Sequence, residues 1–146
     1  MTFRWPSRLQ IVYPLSVDSQ FSSSDETEQL LRYVDLANLG NLLDRVGGLD
    51  RRAEWNWDDV LSPGETQRLA FIRLLYHRPL MAFLDEATSA VDMHMETLLY
   101  ASAVDLGITL ISVGHRHSLR AFHQWTLNLS GDGAWALQPM SSSSGQ

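Results

Sequence analysis

The sequence contains neither cysteine nor lysine. Without cysteine, a disulfide framework, a thiolate metal site and a cysteine nucleophile are all excluded. All eleven basic residues are arginine, so the phosphate-binding loop G-x-x-x-x-G-K-[ST] is also absent. In that loop, closely spaced glycines cradle the phosphates and the lysine reaches the β- and γ-phosphates. Any phosphate chemistry in this chain must therefore use other groups.

Long apolar runs and clustered positive charge are missing too. No apolar stretch approaches the ~20 residues that a membrane-spanning helix needs, so we expect no membrane span within these residues. The net charge of −6 and the scattered arginines argue against binding to nucleic acid. The first residues are basic but lack an apolar core, and we predict no cleaved targeting segment. A hydrophobic content of 45% in 146 residues fits one globular domain.

The most informative stretch covers residues 61–92. Ser62, Pro63 and Glu65 fit a helix start, as the N-cap, the first helical position and the last residue of an S-x-x-E capping box. The pattern predicts that this helix continues to Arg78, because apolar residues recur at helical spacing and a proline follows. These apolar positions are Leu69, Ile72, Leu75 and Tyr76.

A continuous apolar run at residues 80–84 follows the helix and ends at two adjacent acids, Asp85 and Glu86. Such a run predicts a buried parallel strand. In α/β enzymes the carboxyl ends of these strands hold the chemistry. Taken singly, each feature has an ordinary explanation, since a capping box usually marks only a helix start and paired acids often lie in a solvated turn. Their order and spacing favour a functional site.

The successive segments LSPGE, LMAFLDE and SAVD resemble the second half of an ATP-binding cassette, namely its signature, Walker B strand and D-loop. The runs RLQIVYPL, WNWDDVLSPGETQRLAF and ISVGHRHSL are similar to ABC transporter subfamily D, of the peroxisomal fatty acyl-CoA and lysosomal cobalamin type. The resemblance covers roughly residues 9–137. It implies an α/β fold, a partial P-loop NTPase (ABC cassette) fold. This fold would contain a helical subdomain and the Walker B half of the parallel-sheet core, and would lack the P-loop half.

The resemblance also implies ATP and Mg²⁺ as cofactors and assigns roles to individual residues. Asp85 would help hold Mg²⁺, Glu86 would accept or orient the proton of the attacking water, and His115 would contact the γ-phosphate. A helix N-terminus is a ready anion site. The residues implied to contact the nucleotide or the partner that shares it are Ser62, Gly64, Glu65, Gln67 and Asp92. Pro63 and Glu65 depart from the Gly and Gln of the commonest signature, as subfamily D does.

Cassettes of this family work as head-to-tail pairs. The resemblance therefore implies a second cassette as partner, in a homodimer or heterodimer, and a transmembrane domain outside this chain. It places the assembly at a peroxisomal or lysosomal membrane, with the isolated chain soluble. Two hypotheses stay open: a truncated portion of a transporter ATPase, or a non-catalytic interaction module that docks on a complete cassette. Because the P-loop is absent, we expect the isolated chain not to hydrolyse ATP.

We divide the chain into four segments. Residues 1–24 are predicted to be extended or loop, with a short extended piece at residues 11–13. Residues 25–78 form a helical subdomain that includes the signature helix, and residues 79–138 form the C-terminal half of the nucleotide-binding core. Residues 139–146 are a predicted disordered tail.

Local patterns predict the remaining elements. Ser23 caps a helix whose apolar face carries Leu30, Leu31 and Val34. The other predicted elements are a helix at residues 39–46 ended by two glycines, a helix at 94–106, a buried strand at 108–113, and a hairpin of strands 125–129 and 134–138.

Two groups of side chains have competing interpretations. Trp55 and Trp57 are predicted packing anchors, with a ligand platform as the less favoured alternative. His94, His117 and His123 lack the spacing of a metal site, and we assign them no ligand role.

Overall fold

The computed structural model describes residues 6–13, 23–51 and 55–140. The helices are α1 (Ser7–Val12), α2 (Ser24–Leu36), α3 (Gly40–Val46), α4 (Trp57–Val60), α5 (Pro63–His77), α6 (Met93–Asp105) and a 3-10 helix (His117–Phe122). The strands are β1 (Met81–Asp85), β2 (Thr109–Val113), β3 (Trp125–Leu129) and β4 (Trp135–Pro139). Residues 1–5 and 14–22 of the predicted N-terminal segment and residues 141–146 of the predicted tail lie outside the described residues.

Helix α5 begins as the sequence predicts. The Ser62 hydroxyl accepts a hydrogen bond from the backbone N–H of Glu65 at 3.3 Å, and the Glu65 carboxylate accepts one from the backbone N–H of Ser62 at 2.8 Å. This reciprocal capping box satisfies backbone donors that a helix start otherwise leaves without partners. The helix ends at His77, and Arg78 adopts a left-handed backbone with φ of 44°. The cap therefore fixes the position of the predicted signature.

Strands β1 and β2 pair in parallel, with Asp85 opposite Val113 at their carboxyl ends. The strand assignments are confirmed, but the expected burial is wrong. Leu80, just before β1, is 91% exposed, and Phe83 is 77% exposed. Successive side chains in a strand point to opposite faces, and only the face that packs on α5 and α6 is covered by described residues. Ala82 on that face packs with Leu75, Ala103 and Ile108.

The first described segment is helical, so the prediction of an extended piece at residues 11–13 is wrong. Backbone and side-chain contacts hold α1 against the turn after α3: the Ser7 hydroxyl donates to the Gly48 carbonyl at 3.1 Å, and the Arg8 N–H donates to the Leu49 carbonyl at 2.8 Å. The helix also buries Ile11 and Val12 in the core. Tertiary packing here overrides the strand preference of β-branched residues.

One apolar core joins α1, α2, α3, α5 and α6. Helix α2 starts at the predicted cap, where the Ser23 hydroxyl accepts from the Glu26 N–H at 3.1 Å. Leu30 and Val34 are buried as expected. Leu31 is 45% exposed, contrary to the prediction. Leu30 and Val34 are four positions apart and share one face of the helix, whereas Leu31 lies to the side of that face. Other buried members of the core are Leu42, Trp57, Leu69, Ile72, Leu99 and Tyr100.

The remaining predicted elements form within one or two residues of their expected bounds. Gly47, with φ of 79°, ends α3, and β3 and β4 form the antiparallel hairpin. Strand β4 reaches Pro139, so the predicted tail begins too early. Trp57 is buried and packs edge-on to Trp55, which confirms their role as packing anchors. Within the described ranges, no helix is both long and apolar enough to cross a membrane.

Candidate functional site

The parallel pairing of β1 and β2 brings two predicted catalytic side chains together. Glu86 directly follows β1, and its N–H donates to the Val113 carbonyl at the end of β2 at 2.9 Å. His115 follows β2, and its Nε2 lies 3.5 Å from a carboxylate oxygen of Glu86. The His115 side chain is 97% exposed. Both groups are therefore open to a ligand at the carboxyl edge of the sheet.

Glu86 has an unusual backbone. Its φ of 47° lies in the left-handed region, which costs a residue with a side chain about 1–2 kcal/mol. The neighbouring structure holds this conformation from both sides, because Val113 accepts from the Glu86 N–H and the Gln67 side-chain amide donates to the Glu86 carbonyl at 3.0 Å. The chain thus turns sharply at the end of the strand and places the Glu86 carboxylate beside His115.

A shallow cleft of about 140 Å³ opens at this edge. Residues 86–89 and 113–116 line it together with Leu119. Asp85, the last residue of β1, is exposed next to it. Among the described residues no group of three or more His, Asp or Glu side chains is arranged to hold a metal ion. Asp85 alone still fits Mg²⁺, which proteins commonly bind through one or two carboxylates while phosphates and water supply the other ligands.

The start of α5 packs on the loop that follows Glu86. A Cβ atom added to Gly64 would lie 2.9 Å from the carbonyl oxygen of Ala90, so only glycine allows this close approach. The Gln67 amide bonds the same loop: it donates to the Ser89 hydroxyl at 2.8 Å and accepts from the Ala90 N–H at 2.8 Å. The loop and the helix start are thus held in a fixed relation.

Glu65 has its carboxylate fully engaged. Its oxygens bond the backbone and hydroxyl of Ser62, and Arg45 lies 3.0 Å away. Burial raises the pKa of Glu65, but the hydrogen bonds from Ser62 and the charge of Arg45 outweigh it, and the net pKa is lowered. Glu65 therefore stays ionised and keeps the helix start capped.

Among the described side chains, no hydrogen bond joins Ser62 to Glu86.

Asp92 caps α6. Its side chain accepts from the N–H of Met95 at 2.9 Å, and this hydrogen bond lowers the pKa of Asp92. The cap fixes the point at which the 86–91 loop enters the helix.

The sequence reasoning missed a buried polar cluster behind the cleft. Glu96 in α6 is fully buried and bonds Thr88, Arg116 and Ser118. A signal was present in the sequence, because Glu96 falls at helical spacing on the same face as Leu99, Tyr100 and Ala103. A carboxylate on such an apolar face requires partners from elsewhere in the fold.

Comparison with known proteins gives a consistent result, although no protein-family profile matches the chain. The chain is 52% identical over 130 residues to the lysosomal cobalamin transporter ABCD4 of Mus musculus, covering 89% of this chain and 22% of that protein. It is 42% identical over 126 residues to ATP-binding cassette sub-family D member 3 of Homo sapiens, covering 86% of this chain and 19% of that protein. The chain thus spans about a fifth of the length of these relatives.

A solved structure shows the same architecture. A bacterial Atm1-family ABC exporter with ATP bound matches with a TM-score of 0.64 and 26% sequence identity, over 86% of this chain and 21% of the exporter chain. The α/β fold with its parallel strand pair is therefore that of part of an ABC cassette.

Proposed function

Since this chain is part of the nucleotide-binding region of an ABC transporter of subfamily D, we propose that it supplies groups for ATP binding and hydrolysis coupled to transport across a membrane. The observation that carries this proposal is the pairing of Glu86 with His115 at 3.5 Å, beside an open cleft at the carboxyl edge of parallel strands. Phosphoryl transfer depends mainly on positioning and on charge stabilisation. This edge supplies an acid, an imidazole and a metal ligand in one place.

Each group at the edge has a distinct role in this proposal. Asp85 helps hold Mg²⁺, directly or through water. When bound, the ion offsets negative charge that develops on the phosphates. Glu86 accepts or orients the proton of the attacking water, and His115 contacts the γ-phosphate. The turn at Glu86 serves this role because it aims the carboxylate at the cleft instead of along the strand.

The start of α5 serves a second nucleotide, held by a partner cassette. Ser62 and Gly64 present the exposed N-terminus of a fifteen-residue helix, where backbone N–H groups and the helix dipole favour a phosphate. Arg45 offsets the negative charge of Glu65 beside this site. Gln67 and Asp92 contribute by holding the 86–91 loop at the same surface.

We propose that the chain pairs with a second ABC cassette, identical or different, and acts with a transmembrane domain outside these residues at an organelle membrane, lysosomal or peroxisomal. The proposed substrate is of the cobalamin or fatty acyl-CoA type. The cobalamin alternative is supported by the relative named a lysosomal cobalamin transporter, and the fatty acyl-CoA alternative comes from the sequence resemblance to subfamily D. The division into a helical subdomain at residues 25–78 and a core segment at 79–138 belongs to the same proposal.

A second candidate function is a non-catalytic module that docks on a complete cassette. These 146 residues contain no lysine to bind the β- and γ-phosphates, so in this candidate the nucleotide is held by the complete cassette. The intact capping box at Ser62 would still allow docking.

Turnover measurements separate the two candidates. We expect purified chain with Mg²⁺ and ATP to give only background hydrolysis, unchanged by Glu86→Gln. Turnover that Glu86→Gln abolishes would contradict this expectation.

The chain is then added to a complete subfamily D cassette. A rise in turnover that Ser62→Trp removes supports a shared catalytic site, whereas a fall that Ser62→Trp removes supports the docking module. Ser130→Trp, in the exposed hairpin turn, is the matched control and should leave either effect intact. No effect of mixing would contradict both candidates.

A further inference from the structure

We propose that Glu96 and Arg116 are positioning residues that lock the 89–91 backbone to the loop carrying His115. The inference rests on the proposed function, because these two segments carry part of its site. Glu96 is not among the residues that line the cleft. It therefore acts through its neighbours and not on the nucleotide.

Glu96 ties together segments that are distant in sequence. Its carboxylate accepts hydrogen bonds from Thr88 at 2.7 Å and from Ser118 at 2.5 Å, and Arg116 lies 3.2 Å away. Thr88 belongs to the loop after β1, and Ser118 to the segment after β2. A buried carboxylate is unfavourable unless it is paired and hydrogen bonded. Both loops must therefore stay in place to satisfy Glu96.

Arg116 completes the connection with a forked contact. One guanidinium nitrogen donates to the Val91 carbonyl at 2.8 Å and to Glu96, and the other donates to the Ser89 carbonyl at 3.0 Å. A planar guanidinium can hold two carbonyls and a carboxylate at once, whereas a lysine ammonium is a single point donor. Because Arg116 directly follows His115, the orientation of His115 is tied to the 89–91 backbone.

The same loop is held from its other side by Gln67 of α5. The loop thus lies between the helix start at Ser62 and the residue next to His115. While Glu96 and Arg116 hold this loop, it connects the partner-facing helix start to the segment that carries His115. Their role is to keep the two parts of the proposed site in register.

Native-state hydrogen exchange of the 146-residue chain without nucleotide tests this proposal. The informative amides are those of Ser89, Val91 and Leu119, which bond within the two loops, and Leu99 in the interior of α6 is the reference. In Glu96→Gln we expect exchange at the loop amides to accelerate about tenfold relative to Leu99, because the loops lose a charged hydrogen-bond acceptor and open locally more often. Glu28→Gln, which removes the charge of an exposed ion pair with Arg32, is the matched control and should leave this ratio unchanged.

Arg116→Lys provides a second variant should Glu96→Gln fail to fold, since the Arg116 side chain is 35% exposed. Lysine keeps the positive charge but cannot make the forked hydrogen bonds to the Val91 and Ser89 carbonyls. We expect hydrogen exchange at the loop amides to accelerate as it does in Glu96→Gln. A uniform change at all amides, or none in the loops, overturns the proposal, because a residue that only stabilises the core would act that way. This result needs no ATP, so it is independent of whether mixing with a complete cassette alters turnover.

Discussion

The backbone of Glu86 yields a prediction whose sign can be worked out from the structure. Glu86 has a φ of 47°, a conformation that costs an L-residue about 1–2 kcal/mol and costs glycine nothing. Glycine also gains freedom in the unfolded chain, which costs about 0.4–1 kcal/mol of stability. The free energy of unfolding of Glu86→Gly should therefore be higher than that of Glu86→Ala by about 0.8 kcal/mol, the difference between the midpoints of these two ranges. Both variants remove the contact with His115, so the difference isolates the backbone.

Urea unfolding of the two variants at neutral pH measures this difference. The matched control is Ala87→Gly in the same loop, since Ala87 is not among the residues with positive φ. That substitution should lower the free energy of unfolding by about 0.5–1 kcal/mol. If Glu86→Gly is no more stable than Glu86→Ala, the strain argument is wrong. If Ala87→Gly is also stabilising, the effect is not specific to the turn at Glu86.

Two further predictions concern the start of α5. Glu65→Gln should lower the free energy of unfolding at pH 7. The folded-state pKa of Glu65 lies below its ordinary 4.5. The difference in free energy of unfolding between wild type and Glu65→Gln should therefore start to shrink near pH 4.5 and close as the pH falls through the lower folded-state pKa. A difference that persists in acid would contradict the electrostatic account. Gly64→Ala should cost about 1–3 kcal/mol because its Cβ would meet the Ala90 carbonyl. Gly40→Ala, at the open start of α3, should be neutral or stabilising. Thermal melts of these variants measure the effects, and equal losses at Gly64 and Gly40 would reject the close-packing argument.

Elements defined by local chemistry could be predicted from the sequence. Ser62, Pro63 and Glu65 determine the start of α5, and the capping hydrogen bonds join Ser62 to Glu65, only three positions away. The cap at Ser23 works in the same way. The meeting of Glu86 and His115 was also predictable, because carboxyl ends of adjacent parallel strands share one edge.

Features that depend on long-range packing could not be predicted. Helix α1 owes its conformation to contacts with residues 48–50, about forty positions away. The exposure of Phe83 depends on which elements cover the outer face of the sheet, and its apolar character alone does not reveal this. The partners of Glu96 lie 8, 20 and 22 residues from it in sequence. Its burial could be suspected from the helical pattern, but its pairing with Arg116 required the fold.

Sedimentation of the chain with a complete subfamily D cassette, with and without Mg²⁺ and ATP, tests whether the start of α5 closes over a nucleotide held by a partner. We predict a mixed pair that forms only with ATP, as expected if the helix start at Ser62 closes over a nucleotide bound by the partner. Ser62→Trp should abolish the pair, and Ser130→Trp should form it as wild type does. A pair that forms equally without ATP, or that Ser62→Trp leaves intact, would contradict the account.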